Sequence, residues 1–155
     1  MLYIRRLTTM LSLALVTASI TWAQAAPAEL SALTARAQLS SPVASWCRGE
    51  FRAGYPGAYA VAVASAAGGR YLVVESDATV VELASYSRSA ELSCYTPTEA
   101  RTLDVAIGQS DTIHGEIVPQ WGTTVVCAFV DDTTSICWQY SPADRRFVRV
   151  GGWMT

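Results

Sequence analysis

The chain contains no lysine, a single histidine and no basic stripe. Its eleven basic residues are all arginine and stand against thirteen acids, for a formal net charge of −2. That balance argues against nucleic acid or an anionic membrane surface as the main partner. Several kinds of chemical grammar are also missing. There is no Cys-x₂-Cys pair, no His-x₃-His, no Gly-x-Ser-x-Gly elbow and no phosphate-binding loop, so the residues announce neither a metal nor any other cofactor.

What is present begins with an export signature. Arg5 and Arg6 precede an apolar run from Leu7 to Trp22, interrupted by Thr and Ser, and then Ala23-Gln24-Ala25. A basic head, a short apolar segment and small residues at the Ala-x-Ala positions predict a signal peptide over residues 1–25, cleaved after Ala25. No later apolar stretch approaches the ~20 residues of a membrane span. Cleavage leaves 130 residues, nine Arg against thirteen acids and a net charge of about −4. That length supports one domain with a real core.

All four cysteines, Cys47, Cys94, Cys127 and Cys137, fall after the leader. An even count in an exported chain predicts disulfides. The favoured pairing is Cys47–Cys94 with Cys127–Cys137, but strand parity complicates the second bridge. A three-residue loop at Asp131, Asp132 and Thr133 sets Cys127 directly opposite Cys137; a four-residue loop ending at Thr134 puts them on opposite faces unless a bulge intervenes.

Periodicity predicts an α+β domain, mostly an antiparallel β meander of about eight short strands with one helix near 97–107. Residues 26–45 form a short helical or flexible lead segment, and residues 46–155 the β-rich domain. In "GAYAVAVAS", alanines alternate strictly with Tyr59, Val61 and Val63, giving one face small enough for close approach of another layer. Gly68-Gly69 is suited to a tight hairpin. In "TPTEARTLDVAIG", Thr96 and Glu99 make a capping box around Pro97 at the first helical position.

Candidate site residues fall into three groups. Asp111, His114 and Glu116 lie in "SDTIHGE", where His114 and Glu116 share a strand face and offer a weak general acid–base pair. Trp121 in "VPQWGT" sits between two strands, placed for stacking or for anchoring a partner. Arg145, Arg146 and Arg149 form the one basic cluster, with forks able to clamp carboxylates or phosphates. The leading expectation is a non-enzymatic binding module, periplasmic or secreted, with a protein or envelope-glycan partner. The alternatives are a hydrolase using His114 with a nearby carboxylate, and a structural subunit of an envelope assembly.

Overall fold

Alternation in residues 58–65 builds the middle of the molecule, because the two sides of that strand bury against different layers. The computed structural model describes residues 26–65, 68–86, 91–101, 114–131 and 134–154. The expected leader and its cleavage site lie outside these, as does the part of the 97–107 helix beyond Arg101. In chain order the elements are α1 (Ala28–Arg36), β1 (Val43–Gly49), β2 (Ala58–Ser65), β3 (Gly68–Val74), β4 (Val80–Tyr86), β5 (Glu91–Tyr95), a second helix α2 described over 97–101, β6 (His114–Ile117), β7 (Val125–Asp131), β8 (Thr134–Ser141) and β9 (Arg146–Met154).

Every described strand pairing is antiparallel. Rather than one meander, the strands make two sheets, ordered β1-β2-β3-β4 and β5-β7-β8-β9-β6. The alanine face of β2 points between them: Ala58, Ala60 and Ala62 pack with Tyr71 and Val73 against Leu92, Val126, Ala128 and Trp138 of the other sheet. Small side chains on one sheet make room for the large ones of its neighbour. The opposite face of β2, with Tyr59, Val61 and Val63, is covered by Leu30 and Leu33 of α1. Full burial of each of those leucines contributes about 2 kcal/mol.

The outer face of the second sheet carries a third cluster, in which Ala100 of α2 meets Ile117, Val125, Cys127, Cys137 and Val150. The result is a helix–sheet–sheet–helix stack. Thr96 and Glu99 form the expected capping box at the start of α2, with the Thr96 amide donating to Glu99 Oε2 at 2.7 Å and the Glu99 amide to Thr96 Oγ1 at 3.3 Å.

Both expected disulfides are present. Cys47 on β1 and Cys94 on β5 join the adjoining edges of the two sheets, where Ser45 Oγ also accepts the Leu92 amide at 2.9 Å. Cys127 and Cys137 are directly opposed on β7 and β8, with Cα atoms 4.1 Å apart. Asp131 pairs with Thr134, so only two residues separate the strands, a number of the wrong parity to oppose the cysteines. A register shift between Phe129 and Asp131 restores the match. The bulge at Val130 is therefore what allows an even turn and a cross-strand bridge to coexist.

The glycine pair stands at the expected tight hairpin, with Gly68 at φ +123°, but at the start of the returning strand. Ser65 pairs with Gly68, so the turn precedes both glycines, and Gly68 and Gly69 belong to β3. A Cβ on Gly69 would run into the Tyr86 ring and the Val63 carbonyl. Tyr86 occupies that space, stacking on Tyr71 at 4.4 Å and donating its hydroxyl to Val63 O at 3.0 Å.

Candidate functional site

Antiparallel pairing brings the β1–β2, β3–β4, β6–β7 and β8–β9 connections to one end of the stack. Loops on a rigid scaffold are where binding residues concentrate. At this end the loops are fastened by buried polar side chains, and each fastening can be followed atom by atom.

Gln139 holds the 118–124 loop. It lies on the same strand face as Cys137 and is fully buried. Its Oε1 accepts the backbone amides of Gln120 at 2.9 Å and Trp121 at 3.3 Å, and its Nε2 donates to the carbonyls of Trp121 and Thr123, both at 2.8 Å. One amide group thereby uses its two donors and two acceptor sites on the backbone of three residues, Gln120, Trp121 and Thr123. The loop is tied further by the Val118 amide to Val150 O at 2.9 Å and by Arg101 Nη2 to Pro119 O at 3.3 Å.

Glu75 holds the β1–β2 loop. Its carboxylate, 4% exposed, pairs with Arg52 Nη2 at 2.6 Å. The Arg52 guanidinium stacks 3.6 Å from the centre of the Tyr55 ring and lies 5.7 Å from that of Tyr140. Burial pushes the Glu75 carboxyl above the ordinary range, with Arg52 pulling the other way. Burial also acts against the Arg52 charge, but its interactions with Tyr140, Glu75 and Tyr55 outweigh this and raise its pKa.

Two further links complete the end. The amide of Glu50 donates to Thr124 Oγ1 at 3.0 Å and the Thr124 amide to Glu50 O at 2.8 Å, joining the β1–β2 and β6–β7 loops. Buried Ser141 donates to Asp144 Oδ2 at 2.8 Å and accepts the Asp144 amide at 3.2 Å, closing the β8–β9 turn. What this end presents to solvent includes Tyr55, 38% exposed, and Val118, 48% exposed, together with Arg145 and Arg146.

No protein-family model matches this chain, and no curated protein or solved structure is significantly similar to it.

The residues singled out by sequence are distributed as follows. Trp121 is half-buried, packed against the cluster around Cys127 and Cys137, with its backbone gripped by Gln139. Arg146 is exposed on the face of β9 that also carries Val148, whereas Arg149 shares the opposite face with Phe147. The basic cluster is thus split between the two sides of its strand. Asp111 lies outside the described residues. His114 and Glu116 stand on β6 opposite Met154 and Gly152 of β9. Among the described residues no three His, Cys, Asp or Glu side chains come together as a metal site.

Arg52, Glu75, Gln139 and Tyr140 were not among the sequence candidates. For Gln139 a signal existed: two residues beyond Cys137 on a strand, it had to share the face of a buried cysteine.

Proposed function

We propose that this chain is an exported binding module, periplasmic or secreted, that recognises a protein partner through the loop end of its sandwich. The observation that carries this reading is the use of three buried polar side chains, Glu75, Gln139 and Ser141, each to fasten a different loop at that one end. Burying such groups is costly unless they are fully bonded, and their return is a set of loops held in one shape before any partner arrives. The two disulfides fit an oxidising compartment. No described helix is long and apolar enough to cross a membrane.

A protein is favoured over a glycan by the exposed side chains. Tyrosine and arginine, here Tyr55, Arg145 and Arg146, are the residue types that most often anchor protein interfaces. One face of Tyr55 is already taken by Arg52, and Trp121 packs half-buried against the core, leaving less aromatic area for sugar stacking. The test is affinity capture from extract of the source cells with the oxidised protein, its Tyr55→Ala variant and a Glu91→Ala variant at the far end of β5. A captured protein lost with Tyr55→Ala and kept with Glu91→Ala supports the reading; capture insensitive to Tyr55, or no capture, opposes it.

A further inference from the structure

Resting on that reading, we infer that Arg145 and Arg146 form the specificity element of the loop end, receiving carboxylates of an acidic segment on the partner protein. The inference starts from which charged groups are already occupied. Glu50 Oε1 accepts the Gly54 amide at 3.0 Å, Asp77 Oδ1 the Thr79 amide at 2.8 Å, and Asp144 Oδ2 the Ser141 hydroxyl at 2.8 Å; Glu75 is held by Arg52. On the cationic side, Arg52 is engaged by Glu75, Arg48 by Glu29 at 3.4 Å, and Arg101 by the Pro119 carbonyl. Arg145 and Arg146 are exposed, and among the described residues neither has a carboxylate within salt-bridge distance.

Backbone conformation supplies a clean way to remove one of the two side chains. Arg145 has φ +54°, in the left-handed region where glycine is the favoured residue and a side chain is a cost. Gln38 and Ala78 share this region, so the strain marks a tight turn and makes Arg145→Gly a substitution that removes the side chain while relieving the backbone. The turn itself is fixed by the Ser141–Asp144 pair, so both guanidinium stems leave a preset backbone. Paired arginine forks match carboxylates in a directional, bidentate way. The apolar group at this end lies across the strand pair: Tyr55 stacks on Arg52, which reaches Tyr140, and Tyr140 pairs with Phe147 on the face of β9 opposite Arg146. An acidic segment carrying an apolar side chain satisfies both features together.

The probe is a fluorescein-labelled short peptide alternating Glu and Leu, compared with the same peptide bearing Gln for Glu and with polygalacturonate, by anisotropy on the oxidised protein. The expected result is saturable binding of the Glu peptide, weakened about tenfold or more in the Gln peptide and in an Arg145→Gly/Arg146→Gln variant. The Arg145→Gly change alone should leave the melting temperature equal to or above that of the parent, which separates loss of a contact from loss of the fold. No saturable binding, equal affinity in the double variant, or tighter binding of polygalacturonate overturns the inference. If Tyr55→Ala abolishes capture of a partner while Arg145→Gly/Arg146→Gln does not, the binding-module reading stands and this assignment falls.

Discussion

Gln139 and Trp121 are joined twice, the Trp121 amide donating to Gln139 Oε1 at 3.3 Å and Gln139 Nε2 donating to the Trp121 carbonyl at 2.8 Å. A side-chain amide here does what a neighbouring strand does in a sheet, meeting both polar groups of one backbone residue. Loop 118–124 therefore holds its shape without regular secondary structure, and a strand residue governs a loop eighteen positions earlier in the chain.

Gln139→Leu removes four hydrogen bonds and leaves buried backbone groups unmet. The expected loss is about 3 kcal/mol of stability by urea denaturation. Hydrogen exchange at the Gln120 and Trp121 amides should accelerate sharply. Gln139→Glu keeps the shape but cannot donate to the carbonyls of Trp121 and Thr123, and it should be comparably destabilised. A loss under about 1 kcal/mol in both variants would show that the clasp contributes little.

Tyr71 presents the opposite case. Its hydroxyl is buried between the sheets and has no hydrogen-bond partner among the described residues, and burial, with a smaller effect of Tyr86, pushes its pKa up to about 12. Tyr71→Phe deletes the unmet group and keeps the ring stacked against Tyr86. Stability should be unchanged or higher by up to about 1 kcal/mol, against the usual rule that core substitutions destabilise. Clear destabilisation would reveal a partner for that hydroxyl.

The two bridges should separate under mild reduction. Cys127 and Cys137 are fully buried, whereas Cys47 and Cys94 are only partly so. Thiol trapping followed by peptide mapping should find Cys47 and Cys94 labelled first. Replacing both members of a bridge with alanine should cost about 3 kcal/mol for Cys127 and Cys137 and about 4 kcal/mol for Cys47 and Cys94, rising with the logarithm of the loop each closes.

Glu75 gives the fold a pH dependence of definite sign. Its carboxyl is raised by burial, so ionising it weakens the folded state as pH rises through the folded value, and this cost vanishes below the ordinary value of 4.5. Asp77 and Glu99, lowered by hydrogen bonds to Thr79 and Thr96, act in reverse: they stabilise above the ordinary range, and that contribution is lost as pH falls through their folded values. Both are common to the parent and to Glu75→Gln and cancel between them. Relative to Glu75→Gln, the parent should therefore gain stability on going from about pH 7 to about pH 4, measured by urea denaturation at each pH. A relative loss would mean that Arg52 outweighs burial at Glu75.

Much of the fold was legible because strand period and capping chemistry are local. The alternation in β2 identified both of its faces, and Thr96 with Glu99 marked the start of α2. The division into two sheets was not legible, since alternation tells which residues share a face and not which face stacks on which. Strand β1, "VASWCRG", carries Ser, Arg and Gly without clean alternation and owes its conformation to pairing with β2. The bulge at Val130 depends on the disulfide register, which lies beyond its own neighbours. At the site, sequence proximity grouped Arg146 with Arg149, although their odd spacing on a strand puts them on opposite faces. The pairing of Arg52 with Glu75 was not legible, because it joins two loops 23 residues apart.

The central claim is that the loop end is a preformed recognition face. Its most direct test places a photo-crosslinking residue at position 55 or 118, and at position 91 as a control, in the protein expressed in its source cells. The account predicts a discrete crosslinked protein from positions 55 and 118 and none from 91. Crosslinks from 91 alone, or the same product from all three positions, would contradict it.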